Sequence, residues 1–275
     1  MSLPVPDRLN PLRAPAHWQA VDFISDLHLQ ASEPATFERW RAFMERPARA
    51  QPDALFILGD FLEVWAGDDL LKANEGLGDS GFWRDCFAIL KRCSAERPVY
   101  FMHGNRDFLL GSAAAAEGGL SLLDDPTLLD FHGRRYLLSH GDALCLADHE
   151  YLRFRAMVRS SGWQSEFLAK PLSERLQITR ALRERSEAHK QAQGHDPATW
   201  ADVDRAAARH WLKAGGTNIL IHGHTHRAGR VDLGHGCERW VLSDWDAQAQ
   251  VPRGDYLRLT LTGLERHSVY GDLAA

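Results

Sequence analysis

The sequence predicts an α/β protein, a sandwich of two mixed β-sheets that is flanked by helices and carries a helical insertion. Three observations indicate this fold. Five short apolar runs, rich in β-branched and aromatic residues, recur along the chain and are typical of buried strands. Helical patterns separate the first three runs, whereas residues 150–213 show no strand signal. With 275 residues and 44% apolar content, the chain is long enough to bury one large core.

The first part of the chain is expected to begin with a flexible arm and to continue as a βαβαβ unit. Residues 1–18 contain four prolines and no periodicity, which is typical of a loosely packed segment. The first helix opens at Ser32-Glu33-Pro34 and ends before Pro47, and the second runs from Phe82 to Cys93. These helices connect three strands of a parallel sheet, predicted at 21–25, 54–58 and 99–103.

The second part of the chain is predicted to contain the insertion and four more strands, at 136–139, 219–222, 239–243 and 256–261. The last two strands are expected to form a second sheet that packs on the first. Residues 150–213 are the predicted insertion, so residues 19–149 and 214–275 form the core. One helix of the insertion presents a face with Leu172, Leu176, Thr179, Leu182 and Ser186. Another opens at Asp196-Pro197 and stops at Gly215-Gly216.

Polar segments follow the five apolar runs at the points where the predicted strands end. They are Asp26-Leu27-His28, Gly59-Asp60, Gly104-Asn105-Arg106-Asp107, His140-Gly141-Asp142 and His222-Gly223-His224-Thr225-His226. We expect one sheet whose carboxyl-terminal edge gathers the five loops around one crevice. Asp, His and Asn ligands without Cys suit divalent ions such as Mn²⁺, Fe²⁺ or Zn²⁺. Two such ions about 3.5–4 Å apart activate a water and neutralise phosphate oxygens, so the predicted reaction is hydrolysis of a phosphate ester or anhydride.

The order of these five segments resembles the calcineurin-like metallophosphoesterase superfamily over most of the chain. Within it, five strings are similar to the pyrophosphohydrolases that act on UDP-2,3-diacylglucosamine in lipid A synthesis: SDLHL, LGDFLEVWAGDD, HGNRDFLLG, SHGDALC and IHGHTHR. The resemblance implies two Mn²⁺ ions. One ion would be held by Asp26, His28 and His224, and the other by Asn105, His140 and His222. Asp60 would bridge the two ions.

Arg106 indicates which kind of phosphate bond the protein is expected to cleave. Many superfamily members carry a histidine at this place and use it to protonate a leaving alkoxide, but arginine cannot release a proton near neutral pH. Cleavage of a pyrophosphate therefore fits better than cleavage of an alkyl diester, because a phosphate monoester leaves without needing a proton. Asp60, Asn105 and Arg106 are the predicted catalytic residues, with Arg106 stabilising charge on the phosphoryl oxygens. The alternative is a structural Arg106 that is paired with Asp107.

The resemblance further implies that water attacks the α-phosphorus of UDP-2,3-diacylglucosamine and releases UMP and 2,3-diacylglucosamine 1-phosphate (lipid X). The substrate contacts that it implies are Asn105, Arg106, Asp148, Ser186 and His222, together with Lys190 or His189. These last two stand where the family pattern places an Asn and a Lys after the serine. One alternative is a pyrophosphohydrolase of a soluble nucleotide sugar or dinucleotide. A more remote alternative is a non-catalytic interaction scaffold that kept the fold.

Two interpretations of the helical insertion stay open. In the first, its amphipathic helices simply pack on the edge of the sheet. In the second, which the resemblance favours, they form a lid over an apolar chamber for acyl chains, with arginines meeting phosphate or anionic lipid. The residues expected to touch acyl chains are Tyr151, Phe154, Trp163, Phe167, Leu168 and Leu172.

Three further polar residues are expected to support the ligands. His226 could be a third ligand, a substrate contact or a surface residue, and we favour a supporting role. Asp142 and Asp107 are expected to fix His140 and Arg106, since metal-bound imidazoles generally donate their other nitrogen to an acceptor.

Composition and the absence of certain sequence features indicate the class of protein and its expected compartment. A formal net charge of −5 argues against a general nucleic-acid binder. The four cysteines form no CxxC pair, and the amino terminus lacks the features of a secretion signal. No stretch approaches the roughly 18–20 apolar residues of a membrane span. We therefore expect a cytoplasmic monomer with free thiols. The resemblance places it peripherally on the cytoplasmic face of the inner membrane of a Gram-negative bacterium.

Overall fold

Two six-stranded β-sheets form the centre of the protein. The structure, a computed structural model, describes residue 9 and residues 11–73, 79–193 and 201–271, and within residues 184–193 it describes the backbone only. The strands are β1 Pro11–Arg13, β2 Ala20–Ile24, β3 Ala54–Leu58, β4 Val99–Met102, β5 Leu120–Leu123, β6 Thr127–Phe131, β7 Arg134–Ser139, β8 Ile219–His222, β9 Gly229–Gly234, β10 Cys237–Val241, β11 Asp255–Thr260 and β12 Gly263–Ser268. The helices are α1 Pro34–Met44, α2 Ser80–Ser94, α3 Ser112–Gly118, α4 His149–Val158, α5 Ser161–Leu168, α6 Leu172–Gln193 and α7 Arg205–Gly215.

The first sheet has the strand order β12-β11-β2-β3-β4-β5. Strands β2, β3, β4 and β5 are parallel, with Val21 opposite Ala54 and Leu55 opposite Val99. The βαβαβ unit predicted for residues 20–110 is therefore confirmed. Helices α1 and α2 begin and end within a few residues of their predicted bounds, with Pro34 in the first turn of α1.

The second sheet has the strand order β1-β6-β7-β8-β10-β9. The prediction that strands 239–243 and 256–261 together form the second sheet is wrong. Strand β10 pairs with β8 in the second sheet, whereas β11 pairs antiparallel with β2 in the first. A physical reason is visible in β2, where the buried carboxylate of Asp22 accepts hydrogen bonds from Arg258 of β11 at 2.7 and 2.9 Å.

The amino-terminal segment is more ordered than predicted. Residues 11–18 were expected in a flexible arm, but Pro11–Arg13 form β1, which pairs in parallel with β6. The indole of Trp18 is buried between the sheets and packs edge-on against Tyr100. Residues 1–8 and residue 10 lie outside the described part of the chain. Burial of one aromatic side chain is enough to fix a segment that composition alone describes as loose.

The layers follow from the apolar faces of the two sheets. The core between the sheets takes Val21, Phe23 and Phe56 from the first sheet and Leu138 and Ile221 from the second. Helices α1 and α2 cover the outer face of the first sheet, where the fully buried ring of Trp40 lies. Helix α7 covers the outer face of the second sheet through residues such as Ala208 and Trp211.

Helix α7 confirms the predicted stop at Gly215-Gly216, and its first residue is Arg205. It begins at Arg205, because the carboxylate of Asp204 caps it by accepting a hydrogen bond of 2.7 Å from the backbone N–H of Ala207. It ends at Gly216, whose φ of 60° is a left-handed conformation that glycine adopts without strain. The predicted start, Asp196-Pro197, lies outside the described residues. This helix packs on the sheet, as the first interpretation of the insertion expects.

Helices α4, α5 and α6 form the other part of the insertion and lie above the loops that follow the strands. Arg175 anchors α6, because its buried guanidinium donates to the carbonyl of Lys170 at 3.0 Å and also bonds the carbonyl of Ala66 and the carboxylate of Asp69. Among the described helices, none is both long and apolar enough to cross a membrane.

Phe56 tests the core between the sheets. Its buried ring stacks between Phe23, with centroids 5.1 Å apart, and Tyr100, with centroids 4.7 Å apart. We expect Phe56→Ala to lower the free energy of unfolding by about 3–5 kcal/mol, because it opens a cavity in the core. Leu122→Ala at an exposed position of β5 is the control and should change it by less than about 0.5 kcal/mol. Urea denaturation measures both, and equal values would contradict the assignment of this core.

Candidate metal centre and substrate cavity

The five polar segments meet at one place, but they come from two sheets. Three of them follow β2, β3 and β4 of the first sheet, and two follow β7 and β8 of the second. The expectation that a single sheet carries all five segments is therefore wrong. The crevice lies where strand ends of the two sheets converge. Hydrogen bonds join neighbouring segments, from the N–H of Asp26 to the carbonyl of Gly59 and from the N–H of His28 to the carbonyl of Asp60, each 3.0 Å long.

The backbone of the candidate ligands is unusual. Asp26, His28, Asp60, His224 and His226 all have positive φ values, between 49° and 65°. Such left-handed conformations cost free energy for residues other than glycine and cluster at functional sites. At these positions they end each strand abruptly, so that the following side chains turn into the crevice.

Two glycines of the motifs allow the segments to approach closely. A Cβ atom on Gly104 would collide with the carboxylate and the backbone nitrogen of Asp60. A Cβ atom on Gly223 would collide with the carboxylate of Asp26 and the hydroxyl of Ser25. Glycine is therefore required at these positions by the space that the carboxylates occupy.

Asp60 lies between two histidines. Its Oδ2 is 3.8 Å from Nε2 of His28, and its Oδ1 is 3.8 Å from Nε2 of His140. Potential ligand atoms of Asp26, Asp60 and His140 all lie within 4.8 Å of one another, and so do those of Asp26, His28 and His226. One carboxylate thus faces two imidazoles, an arrangement suited to a ligand shared by two ions.

The other predicted ligands lie on the side of His140. The amide oxygen Oδ1 of Asn105 is 3.0 Å from Nε2 of His140 and 2.9 Å from Nδ1 of His224. His222 is fully buried behind them, and its Nδ1 is 2.8 Å from the carbonyl oxygen of Gly223. All seven predicted ligands are therefore brought together, although their roles as ligands stay a prediction.

His226 lies closer to the predicted ligands than we expected. Its Nε2 is 3.4 Å from Oδ1 of Asp26, and its ring packs edge-on against His28. The resemblance implied that His224 joins Asp26 and His28, but the ring of His224 contacts Asn105 instead, while its backbone N–H donates to the carboxylate of Asp26 at 2.9 Å. The side-chain group around Asp26 therefore contains His226.

The charges of the centre raise the pKa of two histidines. Burial alone would lower the pKa of His140, but the carboxylates of Asp60 and Asp26 outweigh burial and raise it to about 9. Burial also opposes the protonation of His28, yet Glu63 and Asp60 raise its pKa to about 9. Without a bound ion, both imidazoles are therefore doubly protonated and positively charged at neutral pH.

The other two histidines behave in the opposite way. Burial lowers the pKa of His222 to about 3, and the nearby Arg239 adds to the effect. Burial together with the positive charge of His140 lowers the pKa of His224 to about 4. Both rings are neutral at pH 7, which is the form that binds a metal ion.

Asp107 and Asp142 have partners other than the expected ones. Asp107 braces two loops, since its carboxylate accepts hydrogen bonds from the backbone N–H of Phe61 at 2.7 Å and of Gly104 at 2.8 Å. Asp142 accepts from the hydroxyl of Tyr151 at 2.5 Å and from Nε of Arg155 at 2.8 Å. The expectation that these carboxylates hold Arg106 and His140 directly is wrong. Nδ1 of His140 instead lies 2.9 Å from the carbonyl oxygen of Leu58.

Arg106 lies at the mouth of the centre. Its backbone N–H donates to Oδ1 of Asp60 at 2.8 Å, and Nε of its guanidinium is 3.8 Å from Oε1 of Glu63. The alternative of a structural pair with Asp107 is not seen, because Asp107 bonds backbone groups. The guanidinium lines the cavity beside the candidate ligands.

A cavity of about 620 Å³ opens beside the centre. Its polar lining includes His28, Asp60, Asn105, Arg106 and His224. Its apolar lining, here called the apolar wall, is formed by Trp65, Phe108, Leu109, Tyr151, Phe154, Trp163 and Leu182. Helices α4, α5 and α6 contribute Tyr151, Phe154, Trp163 and Leu182 to this lining, and their role as a lid for acyl chains stays a prediction.

Only some of the residues that were expected to touch acyl chains line the cavity. Tyr151, Phe154 and Trp163 line the cavity as expected, whereas Phe167 and Leu172 pack into the core of the first sheet and Leu168 is exposed. Phe167 and Leu172 turn away because the core beneath the helices takes one face of α5 and α6.

The predicted polar substrate contacts fall into three groups. Asp148 lines the cavity and also caps α4, where it accepts a 2.9 Å hydrogen bond from the N–H of Tyr151. His222 lies behind the cavity and does not line it. The side chains of Ser186, His189 and Lys190 lie outside the described part of α6.

One charged residue of the cavity, Glu63, was missed, and Arg183, one of the arginines expected to meet phosphate or anionic lipid, contacts it. Glu63 bonds Nδ1 of His28 at 2.6 Å, and Arg183 of α6 pairs with Glu63 at 2.9 Å. Glu63 follows Asp60 by three residues and belongs to no spacing pattern that indicates a site. Only the fold brings it to His28.

Comparison with known proteins adds to this geometry. The family model of the calcineurin-like phosphoesterases matches residues 20–228, which include all five polar segments. The chain belongs to the calcineurin-like phosphoesterase family.

Three proteins with high sequence similarity to this phosphoesterase share one name. A protein of Chromobacterium violaceum named UDP-2,3-diacylglucosamine hydrolase is 45% identical over 247 residues, which cover 89% of this chain and 97% of that protein. Proteins of the same name from Aromatoleum aromaticum and Ralstonia nicotianae are 44% and 45% identical. These alignments cover 85% and 87% of this chain and 92% and 88% of the relatives.

Gly104 offers a test of the metal centre. We expect Gly104→Ala to weaken Mn²⁺ binding by about 10–100-fold, because the new methyl group must displace the carboxylate of Asp60. Gly81→Ala is the control, since a Cβ atom on Gly81 meets nothing within 4 Å. Equilibrium dialysis of Mn²⁺ measures both variants. Equal affinities would show that the contact between Gly104 and Asp60 is irrelevant to the centre.

Proposed function

We propose that the protein hydrolyses the pyrophosphate bond of UDP-2,3-diacylglucosamine, and that the products are UMP and 2,3-diacylglucosamine 1-phosphate (lipid X) of lipid A synthesis. The observation that carries the proposal is one cavity whose lining combines histidines and carboxylates of the candidate metal centre with a large set of apolar side chains. A substrate that carries both a diphosphate and acyl chains matches this mixed lining. The name shared by relatives at 44–45% identity supports the same substrate.

The residues of the centre fit a pair of divalent ions, and we propose that both ions are Mn²⁺. Nε2 of His28 and Nε2 of His222 are buried and make no hydrogen bond within the described residues, as expected of metal-binding nitrogens. The ions would be held by Asp26, His28, Asp60, Asn105, His140, His222 and His224, with His226 as a further candidate beside Asp26. When bound, such a pair activates a water and neutralises phosphate oxygens.

Arg106 and Asn105 would orient the diphosphate. The guanidinium of Arg106 keeps its charge at every physiological pH and fits the oxygens of a phosphoryl group in a two-pronged geometry. Asn105 would add a donor through its amide nitrogen, because its oxygen faces His140 and His224. Since the leaving group is a phosphate monoester, this arrangement needs no proton from the arginine.

The apolar wall would receive the acyl chains. A cavity of about 620 Å³ is within the range of small-molecule sites, about 300–1,000 Å³. Tyr151, Phe154 and Trp163 would contact the chains, while Asp148, Ser186 and Lys190 would contact the sugar or the nucleotide. In this proposal helices α4–α6 are the lid, and the protein acts as a monomer on the cytoplasmic face of the inner membrane, from which its lipid substrate is drawn.

The main rival is a pyrophosphohydrolase of a soluble nucleotide sugar or dinucleotide. It uses the same polar lining of the cavity but leaves the wall of Phe108, Phe154 and Trp163 without an apolar ligand. A non-catalytic scaffold is less well supported, because all seven predicted ligands are present and gathered at one place.

The substrate decides between these functions. With Mn²⁺ and detergent, we expect UMP release from UDP-2,3-diacylglucosamine and little from unacylated UDP-N-acetylglucosamine. Burial of five methylenes at about 0.8 kcal/mol each favours the acylated substrate by about 4 kcal/mol, or roughly 10³-fold in kcat/KM. Arg106→Ala should lower kcat by about 10²–10³-fold and keep its Mn²⁺ affinity. Equal cleavage of both substrates would favour the rival.

Metal binding should release protons. At pH 7.5 His28 and His140 are protonated in the metal-free protein, because both pKa values are about 9. A metal ion binds the neutral ring, so loading should release about two protons per chain. Calorimetric titration with Mn²⁺ in buffers of different ionisation enthalpy counts them.

The control for this count is His28→Gln, which should release about one proton fewer. Raised pKa values also have a consequence for the fold. They stabilise the metal-free protein below the ordinary pKa of 6.5, and that stabilisation is lost as pH rises through about 9. Loading without proton release would contradict the proposed roles of both histidines.

A further inference from the structure

Glu63 is a buried carboxylate between the candidate metal centre and the insertion. It stands after β3, only 6% exposed, and each of its oxygens has a different partner. Oε2 is 2.6 Å from Nδ1 of His28, and Oε1 is 2.9 Å from Nε of Arg183. Oε1 is also 3.8 Å from Nε of Arg106.

Arg183 reaches Glu63 from helix α6. Its guanidinium lines the cavity and bridges two segments of the core, because Nη1 also donates to Oε1 of Gln30 at 3.1 Å. Gln30 follows the segment Asp26–His28, so both partners of Arg183 lie next to candidate ligands. Arg183 therefore joins the middle of α6 to the metal-site loops.

The two contacts of Glu63 act on different parts of the protein. A carboxylate that accepts the N–H of a metal-binding imidazole fixes which ring nitrogen is free for the ion and how the ring is oriented. A carboxylate paired with an arginine fork restrains the segment that carries the arginine. One side chain does both here, so a change in either partner is felt by the other.

We propose that Glu63 is a positioning residue that couples the lid to the metal centre, holding His28 with one oxygen and helix α6 with the other through Arg183. The proposal rests on the proposed function, in which His28 binds an ion and α6 covers the substrate. Metal loading then orders α6 over the cavity. Conversely, an ordered α6 keeps His28 in its binding orientation.

The charges around Glu63 agree with this role. Burial alone would raise the pKa of Glu63, but the positive charges of His28, Arg106 and Arg183 outweigh burial and lower it to about 2. The carboxylate is therefore ionised throughout the physiological range, and both contacts keep their charge-assisted strength.

Three variants separate the two contacts. Glu63→Gln keeps the shape of the side chain but retains only one acceptor oxygen and no charge. Arg183→Gln removes the contact to α6 and leaves Glu63 and His28 intact, and Arg183→Lys keeps the charge without the fork. Arg180→Gln is the matched control, since Arg180 is an exposed arginine one turn earlier on the same helix.

Two readouts are independent of turnover: Mn²⁺ affinity by equilibrium dialysis, and amide hydrogen exchange across residues 172–183 with and without Mn²⁺. In the parent protein and in Arg180→Gln, Mn²⁺ should slow the exchange of α6. In Arg183→Gln the slowing should disappear and Mn²⁺ affinity should fall by about fivefold, because a coupling between metal binding and the order of α6 acts in both directions. Arg183→Lys should restore part of both. Glu63→Gln should lose the slowing and bind Mn²⁺ about 10–100-fold more weakly.

Steady-state kinetics give a third readout. Arg183→Gln should raise the KM for the acylated substrate by about fivefold or more with little change in kcat, because the lid contributes binding and not chemistry. Slowed exchange of α6 in Arg183→Gln, or unchanged Mn²⁺ affinity in Glu63→Gln, would overturn the proposal. Failure of the parent protein to release UMP would instead count against the proposed function, and the coupling would still be visible in exchange and in dialysis.

Discussion

The carboxylate of Asp60 is the constraint on which the rest of the site depends. It accepts the N–H of Arg106, faces Nε2 of His28 and of His140, and leaves no room for a side chain at Gly104. Three strand ends must therefore approach one side chain from different directions. The left-handed backbone at Asp60 and at the neighbouring ligands follows from this crowding, because the chain has to reverse within one residue at the end of each strand.

Burial of so much charge is tolerated because each ionised group has an opposite charge within reach. An isolated carboxylate or imidazolium in the interior costs several kcal/mol. Asp26 is fully buried, but His226, His140 and His28 lower its pKa despite the desolvation. His140 is protonated in turn because Asp60 and Asp26 outweigh its burial. The candidate metal centre is thus a network in which buried carboxylates and histidines stabilise one another's charges.

The sequence predicted the parts of the fold in which local pattern and burial agree. Strands β2, β3 and β4 are buried on both faces, so their apolar runs are continuous and were recognised. Strands β9 and β12 consist mainly of exposed and half-buried residues and include charged side chains, and they were missed. Ligand motifs were recognised because each is contiguous. The contact of Glu63 with Arg183 was not, because it joins segments far apart in sequence, and the place of Trp18 depends on an aromatic partner in another strand.

Helices α4 and α6, which both line the cavity, are attached to the candidate metal centre in different ways. Helix α4 is joined through Asp142, a fully buried carboxylate that bonds Tyr151 and Arg155, and the ring of Tyr151 stacks on His224 with centroids 5.9 Å apart. Near the cavity α6 is held by Arg183, whose side chain is 36% exposed. A buried charge network costs more to break than a partly solvated pair. Helix α4 is therefore held more rigidly near the cavity, whereas α6 depends there on the partly solvated contact of Arg183, in addition to its buried anchor at Arg175.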